Sequence, residues 1–209
     1  MALPNPSMAF TPFDILLAEE LNDLVENIES LADGTGFDAG AIGTTDLADG
    51  AVTSAKVDFT TFPKAKVNLT ANTSLPNNAW TSIPFDAEVF DVGSMHSTSV
   101  NNTRVTIPAS QGGIYLVVGM ITITSNGTGS RGLRFTINGV TTNNNESGGY
   151  FGPTNPSTET RINIVSTMQL SAGDYITMDS YQNSGTGLQA LINTVESWQT
   201  TSLSVVRIS

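Results

Sequence analysis

The chain has 209 residues, 39% of them hydrophobic, with 19 acids against 8 Lys and Arg, a net charge of −11 and no cysteine. That length holds one good-sized domain plus appendages, and the apolar content is that of a folded protein. The missing cysteines exclude a disulfide framework or a thiolate metal site, and the acidity argues against a phosphate backbone, so no nucleic acid is expected as partner.

The start, Met1-Ala2-Leu3-Pro4, lacks the charged and apolar regions of a signal peptide, and no run approaches the roughly 18 apolar residues of a membrane span. The expected product is soluble, without Sec export or membrane insertion. Charge is unevenly placed: residues 1–64 hold eleven acids against Lys56 and Lys64, a net −9, while residues 65–209 hold eight acids against six bases, a net −2. The chain divides accordingly into an anchor (1–36), a stalk (37–64) and a nearly neutral head (65–209).

Residues 3–13 of the anchor are Pro-rich and extended, leaving Phe10 and Phe13 uncovered without a partner. Thr11 suits a helix cap, Pro12 the first helical position and Asp14 a capping box, and Asp33-Gly34-Thr35-Gly36 stops the helix. Between them Leu17, Leu21, Leu24, Ile28 and Leu31 follow the four-three spacing of a coiled-coil seam, with Ala18, Val25 and Ala32 widening it. The helix carries seven acids and no base, which opposes association of copies. Two readings stand: a small bundle of identical helices docked into another protein, or an amphipathic helix packed on its own domain.

In the stalk the large apolar residues keep a beat of five, Phe37, Ile42, Leu47, Val52, Val57 and Phe62, broken only by Phe59. Five matches neither the helical period nor the strand period, so no single element buries these residues on one face. An extended stalk whose beats meet those of identical chains accounts for the spacing; a flexible Gly/Ala/Thr linker is the alternative.

The head reads as all β, in short alternating runs separated by Asn, Gly, Ser and Pro. Strands are predicted over residues 67–70, 80–85, 88–92, 104–107, 114–124, 132–137, 161–169, 175–181, 188–193 and 200–208, with Trp80 in the core. Asn138-Gly139 signals a type I′ turn and residues 171–174 another tight turn, while residues 141–156 read as a long loop or a widely spaced hairpin. Ten strands at this spacing suit a two-sheet jelly roll better than an up-and-down barrel.

Four runs in order carry a family resemblance: Arg104-Val105-Thr106-Ile107-Pro108, Gly113-Ile114-Tyr115-Leu116-Val117, Leu133-Arg134-Phe135-Thr136-Ile137-Asn138-Gly139, and Leu170-Ser171-Ala172-Gly173-Asp174. Together they resemble the C1q/TNF-like jelly-roll domain over most of residues 67–209. The preceding segment, with Leu21-Asn22-Asp23-Leu24-Val25-Glu26-Asn27-Ile28 and then residues 47–56, resembles the N-terminal part of tailed-bacteriophage fibre and minor structural proteins. The resemblance implies a mainly β homotrimer: a C-terminal jelly-roll head behind a short coiled-coil-like helix and an extended repeat stalk. It implies fold roles for Tyr115 and Asp174. The collagen-like stem of secreted C1q-type proteins is absent, so their ligand and calcium roles are not carried over.

Chemistry is sparsely signalled. His96 lies among serines without the local signature of a nucleophile and its base, so no catalytic residue is assigned and the chain is not expected to be an enzyme. The lack of a long repeat β-helix and of paired acids argues against a glycan-degrading enzyme. Asp86, Glu88 and Asp91 have cation-binding chemistry, but exposed strand carboxylates are usually only solvated, and neither metal nor cofactor is expected. Asn68, Asn72, Asn101, Asn126 and Asn145 begin glycosylation sequons that mean nothing without export. Aromatics beside amides suit a glycan or a peptide loop, which singles out Tyr150 and Phe151, Tyr181 with Gln182 and Asn183, and Trp198 with Gln199 as candidate receptor contacts; core or trimer contact is the alternative for each ring.

The expected protein is a trimeric virion fibre, assembled in the host cytoplasm and exposed on the particle. A second virion protein would hold its N-terminus, and the head would meet a host-surface glycan or protein. A purely architectural decoration or tail-tip component is the alternative. Leu47→Asp is expected to loosen the stalk while the head stays trimeric; unchanged protease resistance across residues 37–62 would show that the beat of five is no packing seam.

Overall fold

Alternation with period two dominates the chain after residue 63, and strands take it up. The computed structural model of the protein describes residues 18–32, 47–53, 56, 59–141, 148–151, 156–192 and 200–209. The chain forms two units, residues 1–58 and residues 59–209.

In the first unit, helix α1 (Ala18–Ala32) follows the predicted stretch, with no basic residue in its last turn. The cap assigned to Thr11, Pro12 and Asp14 lies outside the described residues, as do Leu17, Phe37, Ile42 and Val57. Residues 48–51 close a turn, with the Ala51 amide donating to Ala48 O (2.9 Å) and Gly50 at φ +76°. Lys56 Nζ then donates to Ala51 O at 2.7 Å.

In the second unit a short 3-10 turn (Phe59–Thr61) leads into twelve strands among the described residues. These are β1 (Lys64–Asn68), β2 (Thr73–Leu75), β3 (Ala79–Ser82), β4 (Ala87–Val92), β5 (Arg104–Thr106), β6 (Gly113–Ile123), β7 (Arg131–Ile137), β8 (Gly148–Phe151), β9 (Thr160–Leu170), β10 (Tyr175–Gln182), β11 (Leu188–Ala190) and β12 (Ser202–Arg207). The first sheet runs β2-β11-β6-β12-β1-β4, with β9 on the other edge of β6; the second runs β3-β10-β7-β8, with β5 also on β10. Every pairing is antiparallel. The longest ladder joins β6 to β9 over eleven residues, from Gly113 opposite Leu170 to Ile123 opposite Thr160.

The two inner faces share one core. Tyr115, Val117, Ile121 and Ile123 of β6, Leu133 and Phe135 of β7, Ile162, Ile164 and Met168 of β9, Ile176 and Met178 of β10, and Leu203 and Val205 of β12 are all buried at alternate positions. Burial pushes the Tyr115 phenol above its usual range, against the pull of Arg207, and its hydroxyl donates to Gln111 O at 2.6 Å. The turns follow the sequence: Asn138 and Gly139 both have positive φ, at 54° and 74°, as a type I′ turn demands, and the Asp174 amide closes residues 171–174 on Ser171 O.

Two strands lie outside the predicted ten. β2 is three residues long and pairs only with β11. β8 forms across Gly148 and Gly149, residues that disfavour a regular strand, and with β7 it makes a widely spaced hairpin, one of the two readings of residues 141–156; the approach is close, and a Cβ on Gly148 would stand 3.2 Å from Leu133 O. Trp80 is also corrected. Ile83 and Phe85 are wholly buried, so the alternation puts Trp80 and Ser82 on the outward face, and Trp80 stands there half-buried.

Gly119 is on the inward face of β6, where a Cβ would meet Met178 Sδ and the Phe135 ring, each at 2.8 Å. Gly119→Val is expected to cost about 1–3 kcal/mol, read as a lower denaturant midpoint at unchanged slope. A wild-type midpoint would show that the core has room to spare.

Candidate functional surfaces

The first sheet carries an apolar strip on its outward face, centred on β6 and flanked by largely polar positions of β9, β12 and β1. Along β6 the outward positions are Ile114, Leu116, Val118 and Met120, between inward Tyr115, Val117 and Gly119. The ladders add to them, with Val165 of β9 opposite Val118 and Val206 of β12 opposite Leu116. Ile114 and Val165 are 39% and 56% exposed, so the strip meets solvent in a single chain. Beside it lie Lys66 and Phe90, opposite each other in the β1–β4 ladder.

The second sheet turns out an aromatic and polar face. Trp80 is opposite Tyr181, which is opposite Gly132, which is opposite Tyr150, so three of the sheet's aromatic residues share one cross-strand row. The Trp80 and Tyr181 rings are 5.4 Å apart, and the Arg134 guanidinium lies 4.0 Å above Trp80. Asp179 ties the next row together. Its Oδ1 accepts from Ser82 (2.7 Å) and Thr177 (2.9 Å), and its Oδ2 from Arg134 Nη2 (3.3 Å) and Nε (3.4 Å). Since Thr177 donates to Asp179, Thr136 supplies the proton in its 2.6 Å bond to Thr177.

The structure separates the candidate receptor contacts. Tyr181 is on this outward face, half-buried, its hydroxyl donating to Asn78 Oδ1 at 2.6 Å. Tyr150 and Phe151 are in β8, in register with Gly132 and Arg131. Trp198 and Gln199 lie outside the described residues. Gln182 is a correction: one residue on from Tyr181, it points inward and is fully buried. Its Nε2 donates to Leu75 O (3.0 Å) and Thr186 O (2.8 Å), and its Oε1 accepts from the Ser184 amide and hydroxyl (both 2.8 Å), leaving nothing for a receptor. Opposite it in the ladder Arg131 closes the same end of the sandwich. Its guanidinium donates to the carbonyls of Asn126, Thr128 and Ser130, its Nε has no partner, and burial lowers its pKa.

His96 is held, not poised. Its side chain is buried, with Nδ1 3.0 Å from Glu88 Oε1 and Nε2 3.2 Å from Asn102 O. Asp86 accepts from the Thr70 amide and hydroxyl, and Asp91 from the amides of Met95 and His96. These carboxylates brace turns, and the described residues contain no group of three acids or histidines spaced to hold a metal.

Of the proposed seam, Leu21, Leu24, Val25 and Ile28 on α1 and Leu47 and Val52 after it are 41–57% exposed within the chain. Leu31 is within α1. Phe62 is half-buried on the head, with the Arg207 guanidinium 6.0 Å from its ring.

No protein-family model matches the chain, and no curated protein does. Among solved structures, murine APRIL aligns at a TM-score of 0.50 with 15% identity, over 70% of this chain and 99% of that one. The globular domain of zebrafish complement 1qA aligns at 0.47 with 12% identity over 70% and 98%, and Eiger TNF from S. frugiperda at 0.47 with 17% identity over 71% and 93%. The fold is that of a C1q/TNF-like jelly roll, mainly β with one short helix.

Gln182→Ala strips partners from Leu75 O, Thr186 O and Ser184, so it is expected to cost about 1–3 kcal/mol of stability. Unchanged stability with altered adsorption to host cells would return Gln182 to the receptor contacts.

Proposed function

We propose that the chain is a self-associating appendage protein of a tailed-bacteriophage virion, threefold about the outward face of its first sheet and meeting a host surface with its head. One observation carries the reading: β6 is apolar on both faces. An antiparallel sheet with one wet face normally alternates apolar and polar residues, whereas Ile114, Leu116, Val118, Met120, Val165 and Val206 form a continuous outward strip. A second copy is the natural cover, because the exposed stripes of α1 and of residues 47–52 call for the same association. The virion setting is supported by the resemblance of residues 21–28 and 47–56 to phage fibre proteins, and host attachment by the aromatic row on the second sheet. The saturation of Asp179, Arg134 and Tyr181 by one another and by their neighbours favours a second reading, an architectural role without a receptor.

Sedimentation equilibrium of the full chain is expected to give about 66 kDa, three times the 22.0 kDa of one chain. Val118→Asp, which puts a carboxylate into the apolar strip, is expected to weaken association at least tenfold. A monomeric wild type would overturn the self-association. A trimer that neither adsorbs to a susceptible host nor competes with infection would leave only the architectural role.

A further inference from the structure

A cavity of about 240 Å³ opens between the loop of residues 93–103 and the outward side of β5, away from the apolar strip. Its loop is prebuilt. The Asp91 carboxylate fixes the Met95 and His96 amides, the Thr106 amide donates to Met95 O at 2.7 Å, and the Met95 side chain is buried as an anchor. The His96 ring bridges Glu88 and Asn102 O. Ser94 and Asn101, which both line the cavity, have φ of 53° and 52°, left-handed values that non-glycine residues adopt at a cost when the surroundings impose them.

The polar wall consists of Ser94, Ser97, Asn101, Arg104 and Thr106, with His96 at its base and the exposed Val100 as its apolar side. Its hydrogen-bonding capacity is unspent. The Arg104 guanidinium lies 4.8 Å from the Tyr175 ring centroid, which steadies it, and has no hydrogen bond or ion pair among the described residues. The side chains of Ser94, Asn101 and Thr106 likewise have no polar partner there, and Ser97 Oγ only accepts, from the amides of Ser99 and Val100. Glu88 and Asp91, the acids of this region, hydrogen-bond His96 and backbone amides, and neither is ion-paired with Arg104 among the described residues.

A fixed guanidinium fork suits a carboxylate, and four hydroxyl and amide groups around it suit a polyhydroxylated ring with one apolar side. The volume is below the roughly 300–1,000 Å³ of drug-sized sites, enough for one ring. We infer that the cavity binds a single carboxylated sugar residue of the uronic-acid class, its carboxylate on Arg104. The inference rests on the attachment reading for where such a sugar is met, and on the cavity alone for its binding.

Saturation-transfer NMR on the full chain, with glucuronate, glucose and inorganic sulfate as probes, tests it. Glucuronate ring protons are expected to receive saturation at millimolar sugar, and glucose at least tenfold less. Arg104→Gln is expected to lower the glucuronate signal at least tenfold. Asn101→Gly, which keeps the left-handed backbone without the amide, is expected to lower it several-fold with the fold intact. Equal signals from glucose and glucuronate, or from the wild type and Arg104→Gln, would overturn the proposal. Displacement of glucuronate by an equal concentration of sulfate would also overturn it, reducing the site to one for bare anions. Adsorption of the wild-type chain to host cells is scored separately. Glucuronate binding without adsorption supports the cavity and overturns the attachment reading; adsorption without glucuronate binding does the reverse.

Discussion

Strand β6 has water-avoiding side chains on both faces, and much else in the head answers to that. Its inward residues Tyr115, Val117, Ile121 and Ile123 are sealed against the second sheet, where each large side chain contributes about 1.5–3 kcal/mol relative to exposure. β9 covers one edge of the strand, β12 and β11 the other, so β6 has no free edge along most of its length. Of its outward residues Ile114 is exposed and Leu116, Val118 and Met120 are half-buried in a single chain. A fold that places its most apolar strand at the centre of one sheet fixes which strip of the outer surface is apolar.

Much of this was legible in the residues. Strand positions followed from alternation and from turn chemistry at Asn138-Gly139 and Asp174, which are local signals. The misplacements came from grouping neighbours in sequence without assigning faces. Tyr181 and Gln182 are adjacent, yet one is outward and the other buried, and Trp80 follows the parity set by Ile83 and Phe85. The cavity was harder to read. That Arg104 lacks an acceptor, and that Glu88 is turned onto His96 eight residues away, are facts of the folded loop that no spacing announces. β8 could be read only as one arm of a widely spaced hairpin, because Gly148 argues against a strand until the close β7 backbone gives it a reason.

Three arginines of the second sheet show how parity and position decide what one side chain does. Arg134, on the outward face, stacks on Trp80 and pairs with Asp179. Arg131, three residues earlier and inward, reaches the end of the sandwich, where three backbone carbonyls stand in for a counter-ion. Arg104, on the edge strand β5, stacks on Tyr175 and lines the cavity, with no hydrogen bond from its guanidinium among the described residues. Solvation, geometry and charge differ at each, and so does the chemistry available.

The order of strands carries a consequence for synthesis. β1 joins the rest of its sheet only through β12, which supplies Val206 beside Leu116 on the outward strip. A nascent chain that has not yet released residues 202–207 from the ribosome therefore has neither a complete first sheet nor the complete apolar strip, so the head can close only after β12 has emerged.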